Sequence, residues 1–286
     1  MENLLKKIKA LSLLARIDKP IGTLLLLWPT LSSFCLLTYG NPSLNLILIF
    51  ILGTFLMRSA GCIINDIFDR EFDKEVLRTK TRPLVTKEIT VKEALFAFII
   101  LVSLSGFLLF FLNKLSLYMA LIGLGLAILY PLTKRFFSIP QFFLGLAFSW
   151  GIIMVSAAEL NQITINAWIM FLACFLWIIA YDTIYALIDK EDDLKIGINS
   201  SAISFGDKDQ NIILICHLSS TFFWAISGIL AKVSIVFYIA LFSAVLLSFY
   251  QKELIKEREK DKCFAAFTNN NWIGLSIFIG AFLGTI

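Results

Sequence analysis

The 286-residue chain is poor in charge, in histidine and in paired cysteines. Charged residues make up 16% of the sequence and hydrophobic residues 58%, whereas soluble domains contain about 25% charged residues. This composition excludes a disordered chain and argues against a soluble enzyme. A single histidine, His217, excludes chemistry that needs several of them. The five cysteines form no Cys-x-x-Cys pair and lie in or beside apolar stretches, so we expect them to be small buried apolar residues. They are Cys35, Cys62, Cys174, Cys216 and Cys263.

Apolar runs with short polar breaks between them fill most of the chain. A membrane-spanning helix needs about 20 apolar residues, and nine runs are long enough: 21–39, 44–64, 94–112, 115–132, 140–159, 165–188, 210–230, 232–250 and 269–286. The sequence therefore predicts one all-α integral membrane domain over residues 1–286. Residues 1–19 alternate apolar and basic side chains at helical spacing, which predicts an amphipathic helix in the membrane interface.

The lysines and arginines fall almost entirely on one side of the predicted spans. Only Lys114 and Lys232 lie on the other side and only Arg58 lies within a span, out of 25 such residues. Because cytoplasmic loops are rich in Lys and Arg, we expect the rich side to be cytoplasmic. It comprises the N-terminal segment and the loops 65–93, 133–139, 189–209 and 251–268.

Two acidic motifs end the second and sixth predicted spans and continue into the loops 65–93 and 189–209. Asn65, Asp69 and Asp73 are spaced four apart, and Tyr185, Asp189 and Asp193 repeat that spacing 120 positions later; Asp182 precedes the second set on the same helical face. Carboxylates so close to each other and to hydrocarbon are costly unless cations compensate them. Mg²⁺ suits this role, because it takes few protein oxygens and shares them with phosphate.

The matched spacing suggests two related helical halves whose acidic motifs face each other across a central cavity, which would form a receptor for a diphosphate. The alternative is that both clusters are solvated loop charges. Basic residues that suit phosphate oxygens lie near the motifs, although each also fits the ordinary charge bias of cytoplasmic loops: Arg78, Lys80, Arg82, Lys134, Arg135, Lys190 and Lys195. Arg58 lies seven residues before Asn65 on the same face and is expected to face the cavity.

Along nearly its whole length, the sequence resembles the UbiA family of intramembrane aromatic prenyltransferases. Within that family it resembles the branch that prenylates 4-hydroxybenzoate in ubiquinone synthesis. The motif Asn-Asp-x-x-Asp-x-x-x-Asp at 65–73 marks the superfamily, and two segments narrow it to this branch: 18–30 (DKPIGTLLLLWPT) and 181–189 (YDTIYALID). Further matching segments are 57–62, Arg78, 82–84, 130–135 and 269–271.

The resemblance implies a nine-helix bundle around a central cavity that opens to lipid on one side for an isoprenoid tail. It implies that Asn65, Asp69, Asp189 and Asp193 hold Mg²⁺ against the diphosphate, with Asp66, Asp73 and Asp192 as supporting acids. Tyr130 and Lys134 match family positions near the diphosphate and the departing allylic group.

The resemblance also implies cations that bind the diphosphate or the aromatic substrate. They are Arg78, Arg82, Lys195, Arg135 and Arg16. The family usually has Lys-Ser-Thr after Ile-Gly-Ile, whereas this chain has Asn199-Ser200-Ser201, so one expected cation is missing.

The expected reaction is Mg²⁺-assisted heterolysis of a polyprenyl diphosphate, followed by attack from the ring carbon ortho to the hydroxyl of 4-hydroxybenzoate. Tyr130 and Tyr185 are candidates to stabilise the allylic cation, and Asp182 or Asp189 to assist loss of the ring proton. Arg58, Arg135 or Arg16 could hold the substrate carboxylate. The expected location is a bacterial inner membrane with the site toward the cytoplasm, and membrane lipid is the only other partner expected; neither nucleic acid nor a protein partner is implied.

Two other functions remain open at this point. A sister prenyltransferase with another aromatic acceptor would share the acidic motifs, although the segment 18–30 favours hydroxybenzoate. A divalent-cation transporter would also place acids on facing helices. Against a transporter, the acids lie at the cytoplasmic ends of the spans and are crowded by Lys and Arg.

Overall fold

The computed structural model describes residues 2–133 and 136–286, with side chains from residue 5 onward, and these ranges contain helices and no strands. The helices are α1 (Glu2–Leu14), α2 (Ile21–Leu37), α3 (Leu44–Asp69), α4 (Val91–Leu108), α5 (Lys114–Thr133), α6 (Gln141–Leu160), α7 (Ile165–Ile196), α8 (Ser201–Ser204), α9 (Asp209–Leu230), α10 (Ile235–Leu254) and α11 (Lys260–Gly284). The predicted all-α class is therefore confirmed.

In the described ranges, seven helices are long and apolar enough to cross a membrane: α3, α4 with the 3₁₀ turn after it, α5, α6, α7, α9 and α10. The two other predicted spans correspond to α2, which has 17 residues, and to α11, whose N-terminal half carries Lys260 and three consecutive asparagines. The protein is thus a multi-pass membrane protein, and the count of nine spans stays a prediction.

The long helices surround a cavity, with α7 as the most buried of them. α7 packs against α6, α9 and α11, and α2 packs against α3, α6 and α11. Helices in lipid gain little from the hydrophobic effect and associate through close packing and polar contacts. Gly274 of α11 provides such a contact, because a Cβ there would lie 2.8 Å from Trp28 and 2.9 Å from Trp177.

A row of amides on α11, of which Asn270 is fully buried, joins this helix to its neighbours. The indole of Trp177 donates to the Asn270 side chain at 2.9 Å, and the Asn270 amide donates to Gln251 of α10 at 3.1 Å. Trp28 of α2 donates to Asn271 at 2.8 Å. These hydrogen bonds fix α11 against α2, α7 and α10, which sets one wall of the cavity.

Both acidic motifs lie largely on helices and not in loops as expected. α3 continues to Asp69, beyond the predicted end at 64, and α7 continues to Ile196, beyond 188. Only Asp73 lies past its helix, where its amide donates to the Asp69 carbonyl at 2.9 Å. Each helix therefore carries its motif out of the apolar segment as a rigid extension.

The N-terminal helix is amphipathic, as predicted, but ends at Leu14 and not at residue 19. Its Ala10 and Leu14 are buried in a small cluster with Ile63 of α3 and Ala94 of α4. Its Ile8 remains exposed. The buried face holds α1 against the loop between α3 and α4, which carries Arg78 and Arg82.

Candidate active site

The two acidic motifs line one cavity of about 910 Å³. Residues 65, 66, 69 and 73 contribute from the α3 side, and residues 182, 185, 189 and 193 contribute from α7. The predicted juxtaposition of the motifs is therefore confirmed. Away from the acids the wall is largely apolar, and α2, α3, α4, α5 and α6 all contribute to it. Val102 of α4 and Leu121 and Leu124 of α5 are among its residues.

The first motif is held by two arginines from different segments. One terminal nitrogen of Arg16 donates to both carboxylate oxygens of Asp66, at 3.0 and 2.8 Å. Arg82 donates to Asp66 at 2.9 Å and to Asp73 at 2.6 Å. Burial raises the pKa of Asp73 even though Arg82 opposes that shift. The pKa of Arg82 is raised, because Asp66 and Asp73 outweigh the cost of its burial.

Asn65 and Asp69, the two predicted metal ligands on α3, lie one turn apart and are hydrogen bonded. The Asn65 amide donates to the Asp69 carboxylate at 3.0 Å. Asp69 is only 8% exposed and also lines the cavity. A buried carboxylate and an amide oxygen are thus held together at the end of the helix.

Arg78 connects the two motifs. From the loop after α3, its Nε donates to Asp189 Oδ1 at 3.0 Å, one terminal nitrogen donates to Asp189 Oδ2 and the other to the Tyr185 hydroxyl at 2.6 Å. Its guanidinium lies 4.8 Å from the centre of the Tyr185 ring. Burial would lower the pKa of Arg78, but its bonds to Asp189 and its proximity to Tyr185 outweigh this and raise it.

Aromatic rings line the cavity beside the second motif. Tyr185 lies 4.6 Å from Phe267 of α11, centre to centre, and Tyr181 lies 6.1 Å from the same ring. Tyr130 of α5 also lines the cavity. Sequence reasoning missed Phe267, because only tertiary packing distinguishes it from the other 26 phenylalanines.

Arg58 reaches the cavity from the middle of α3, as expected. Its carbon Cζ lies 5.7 Å from the centre of the Phe148 ring. Its Nε is buried and has no hydrogen-bond partner among the described residues. A buried, unsatisfied nitrogen of a cation indicates that an acceptor is missing.

The structure does not bring every predicted residue to the cavity. Asp192 and Lys195 are absent from its lining; they form an ion pair of 3.6 Å with each other, in which Asp192 is buried and Lys195 is 73% exposed. Lys190 turns to Asp209 at 3.3 Å. The predicted residues Lys134 and Arg135 lie outside the described residues. Asn199, which replaces the family lysine, does line the cavity.

The donor set fits Mg²⁺ better than a softer metal, because it consists of carboxylate and amide oxygens. In the described part of the chain, no group of three or more His, Cys, Asp or Glu side chains is arranged as a metal site. Both oxygens of Asp189 accept hydrogen bonds from Arg78, so this carboxylate is already paired with a cation.

These features define a multi-pass membrane protein whose cavity joins facing acidic motifs to an apolar wall. The model of the UbiA prenyltransferase family matches residues 26–280. The chain belongs to this family.

Similar proteins agree in sequence and in fold. A 4-hydroxybenzoate octaprenyltransferase from Tolumonas auensis is 49% identical over 94% of both chains, and one from Aeromonas salmonicida is 47% identical over 98% of both. The apo structure of a UbiA homolog from Aeropyrum pernix superposes with a TM-score of 0.78 at 21% identity, covering 90% of this chain and 96% of the other. A UbiA homolog from Archaeoglobus fulgidus, bound to GPP and Mg²⁺, gives 0.72 at 19% identity over 96% and 99%.

Proposed function

We propose that this protein transfers a polyprenyl group from polyprenyl diphosphate to the ring carbon ortho to the hydroxyl of 4-hydroxybenzoate. The product is 3-polyprenyl-4-hydroxybenzoate, an intermediate of ubiquinone synthesis. The observation that carries this proposal is the single cavity in which two acidic motifs meet an apolar wall. The 47–49% identity to 4-hydroxybenzoate octaprenyltransferases supports the acceptor. Family membership disfavours the cation transporter.

The acid-lined end of the cavity would bind the diphosphate. Asn65 and Asp69 on α3, with Asp189 and Asp193 on α7, are the proposed Mg²⁺ ligands, and Asp66 and Asp73 support them. Bound Mg²⁺ would neutralise the charge that develops on the leaving diphosphate. Arg78 and Arg82 would add donors to its oxygens. Because Arg78 holds Asp189 in the structure, we propose that a diphosphate draws Arg78 away and releases this carboxylate.

The remaining chemistry needs a dry cavity and nearby π faces. When the allylic C–O bond breaks, its electron pair leaves with the diphosphate, and Tyr130 and Tyr185 would stabilise the cation left on the isoprenoid. The ring carbon then forms the new C–C bond, and the ring proton must leave. Asp182 lines the cavity and is the proposed acceptor of that proton, since the carboxylate of Asp189 is a proposed Mg²⁺ ligand.

Arg58 is the proposed partner of the substrate carboxylate. Of the three arginines considered, Arg16 already grips Asp66 through both oxygens, and Arg135 is not among the described residues. Arg58 lines the cavity with a buried and unsatisfied Nε. Its position within α3 places it deeper than the acids, where a benzoate could lie beyond the diphosphate.

The isoprenoid tail would follow the apolar wall of α3, α4 and α5. Leu121 lines the cavity and is 60% exposed, which supports an opening toward lipid. We place the protein in a bacterial inner membrane with the acid-lined end toward the cytoplasm, on the Lys and Arg bias of the loops.

The test is an assay of isolated membranes supplied with 4-hydroxybenzoate, Mg²⁺ and a mixture of polyprenyl diphosphates, with the product identified by mass. Asp69→Ala and Asp189→Ala should each lower the rate by at least about 100-fold, since each removes a charge from the diphosphate site. Glu191→Ala is the matched control, because Glu191 is 76% exposed and lies two residues from Asp189 outside the cavity. If either aspartate variant keeps most of the control's rate, the metal-bridge proposal is wrong.

A further inference from the structure

We propose that Gly22 is a positioning residue that sets the affinity for the aromatic acceptor. Its missing side chain provides the space in which the Arg58 guanidinium lies, and this space directs that cation into the cavity. The inference rests on the proposed role of Arg58 as the partner of the substrate carboxylate, and it adds the residue that makes this role possible.

The close approach between α2 and Arg58 carries the argument. Gly22 lies in the first turn of α2 and lines the cavity. A Cβ at this position would lie 2.5 Å from one terminal nitrogen of Arg58, 2.6 Å from its Nε and 2.9 Å from Cζ. Real Cβ atoms almost never come this close to another heavy atom, so any larger residue forces the guanidinium to move.

Arg58 cannot move without consequence, because it is confined on two sides. Phe148 of α6 lies at 5.7 Å from its Cζ, and Gly22 lies on the α2 side. The buried Nε, without a partner among the described residues, is the group that would meet a substrate oxygen. A guanidinium recognises a carboxylate through two parallel N–H bonds, and a displacement of about 1 Å disrupts such a pair.

The glycine is not needed for the backbone of α2. Its φ is not positive, and alanine is a better helix former by about 1 kcal/mol. Helical geometry therefore gives no reason for glycine here, whereas the contact with Arg58 does. The acceptor-binding group and the space that holds it thus lie on different helices, α3 and α2.

The experiment measures KM for each substrate in membranes that contain Gly22→Ala. We expect KM for 4-hydroxybenzoate to rise about ten-fold, as for a weakened charge-assisted hydrogen bond, while KM for the polyprenyl diphosphate changes less than about two-fold. Competition by 4-hydroxybenzamide, which has the same shape without the charge, should be unchanged. Gly125→Ala is the control, because Gly125 does not line the cavity and a Cβ there meets nothing within 4 Å.

A double variant separates this inference from the proposed function. In an Arg58→Ala background, Gly22→Ala should add no further rise in KM, because the group that it displaces is gone. A penalty that persists there, an equal effect on both substrates, or no effect at all would overturn the role of Gly22. If Arg58→Ala alone leaves KM for 4-hydroxybenzoate unchanged, the carboxylate assignment fails, and Gly22 with it, while the prenyl transfer stands.

Poor accumulation of Gly22→Ala would also be informative. If the clash with Arg58 is the cause, the double variant Gly22→Ala/Arg58→Ala accumulates like the parent protein. If the double variant is also lost, Gly22 serves the packing of α2 in general and the inference is wrong.

Discussion

Replacing Arg82 by methionine tests whether the charge network of the first motif stabilises the fold. Arg82 donates from the loop after α3 to Asp66 and Asp73, and these carboxylates are 2% and 6% exposed. Methionine keeps the length of the side chain and removes the charge, which leaves both carboxylates short of a partner. The substitution therefore measures the cost of uncompensated buried charge.

The magnitude follows from burial. Removing one partner of a fully buried ion pair costs about 3–5 kcal/mol. Arg82 is 17% exposed and Asp66 keeps its bonds to Arg16, so we expect a cost at or below the lower end of that range, about 2–3 kcal/mol. For a chain of this size, this corresponds to a fall of about 4–12 °C in the midpoint of thermal unfolding.

The assay is thermal unfolding of the purified protein in detergent, followed by the loss of the monodisperse peak in size-exclusion chromatography. Lys7→Met is the matched control, because its partner Glu93 and Lys7 itself are 34% and 48% exposed; such a surface pair contributes about 1 kcal/mol or less. Adding Asp73→Asn to Arg82→Met should recover part of the loss, since it removes one unpaired charge. A midpoint unchanged in Arg82→Met, or lowered no more than in the control, would refute the reasoning.

Two further predictions concern residues near the second motif. Asp209, the first residue of α9, is fully buried and accepts two hydrogen bonds of 2.9 Å from Arg258. Because Arg258 is 32% exposed, we expect Asp209→Ala to destabilise the protein by about 2–3 kcal/mol in the same unfolding assay, less than for a fully buried pair; an unchanged midpoint would show that this ion pair does not stabilise the fold. Phe267→Ala should lower kcat about 3- to 10-fold with little change in KM for 4-hydroxybenzoate, because an aromatic pair contributes about 0.5–1.5 kcal/mol and Phe267 contacts Tyr185. Initial rates compared with Phe264→Ala provide the check, and equal losses in both variants would contradict a specific role for the Tyr185 contact.

Local sequence patterns were sufficient for the helices and for both acidic motifs. The apolar runs predicted the spans to within a few residues at most ends, because hydrocarbon demands a fixed length of apolar helix. The largest errors occurred at polar helix ends: α3 and α7 continue past the apolar segment, and α11 begins at Lys260, before its predicted start at residue 269. Hydropathy does not detect such polar extensions, since it follows the lipid boundary and not the hydrogen bonds of the helix.

The sequence by itself determined the class of protein, since long apolar runs admit only a membrane bundle. It also located the acidic motifs, since their repeated spacing can be read from the order of the residues alone. Only the tertiary structure decided which side chains meet. It turned Lys195 and Asp192 away from the cavity, brought Arg78 across to Asp189, placed Phe267 against Tyr185 and set the Arg58 guanidinium over Gly22. These contacts join residues up to 111 positions apart. They depend on how the helices are rotated and packed against each other, and local sequence patterns contain no information on either.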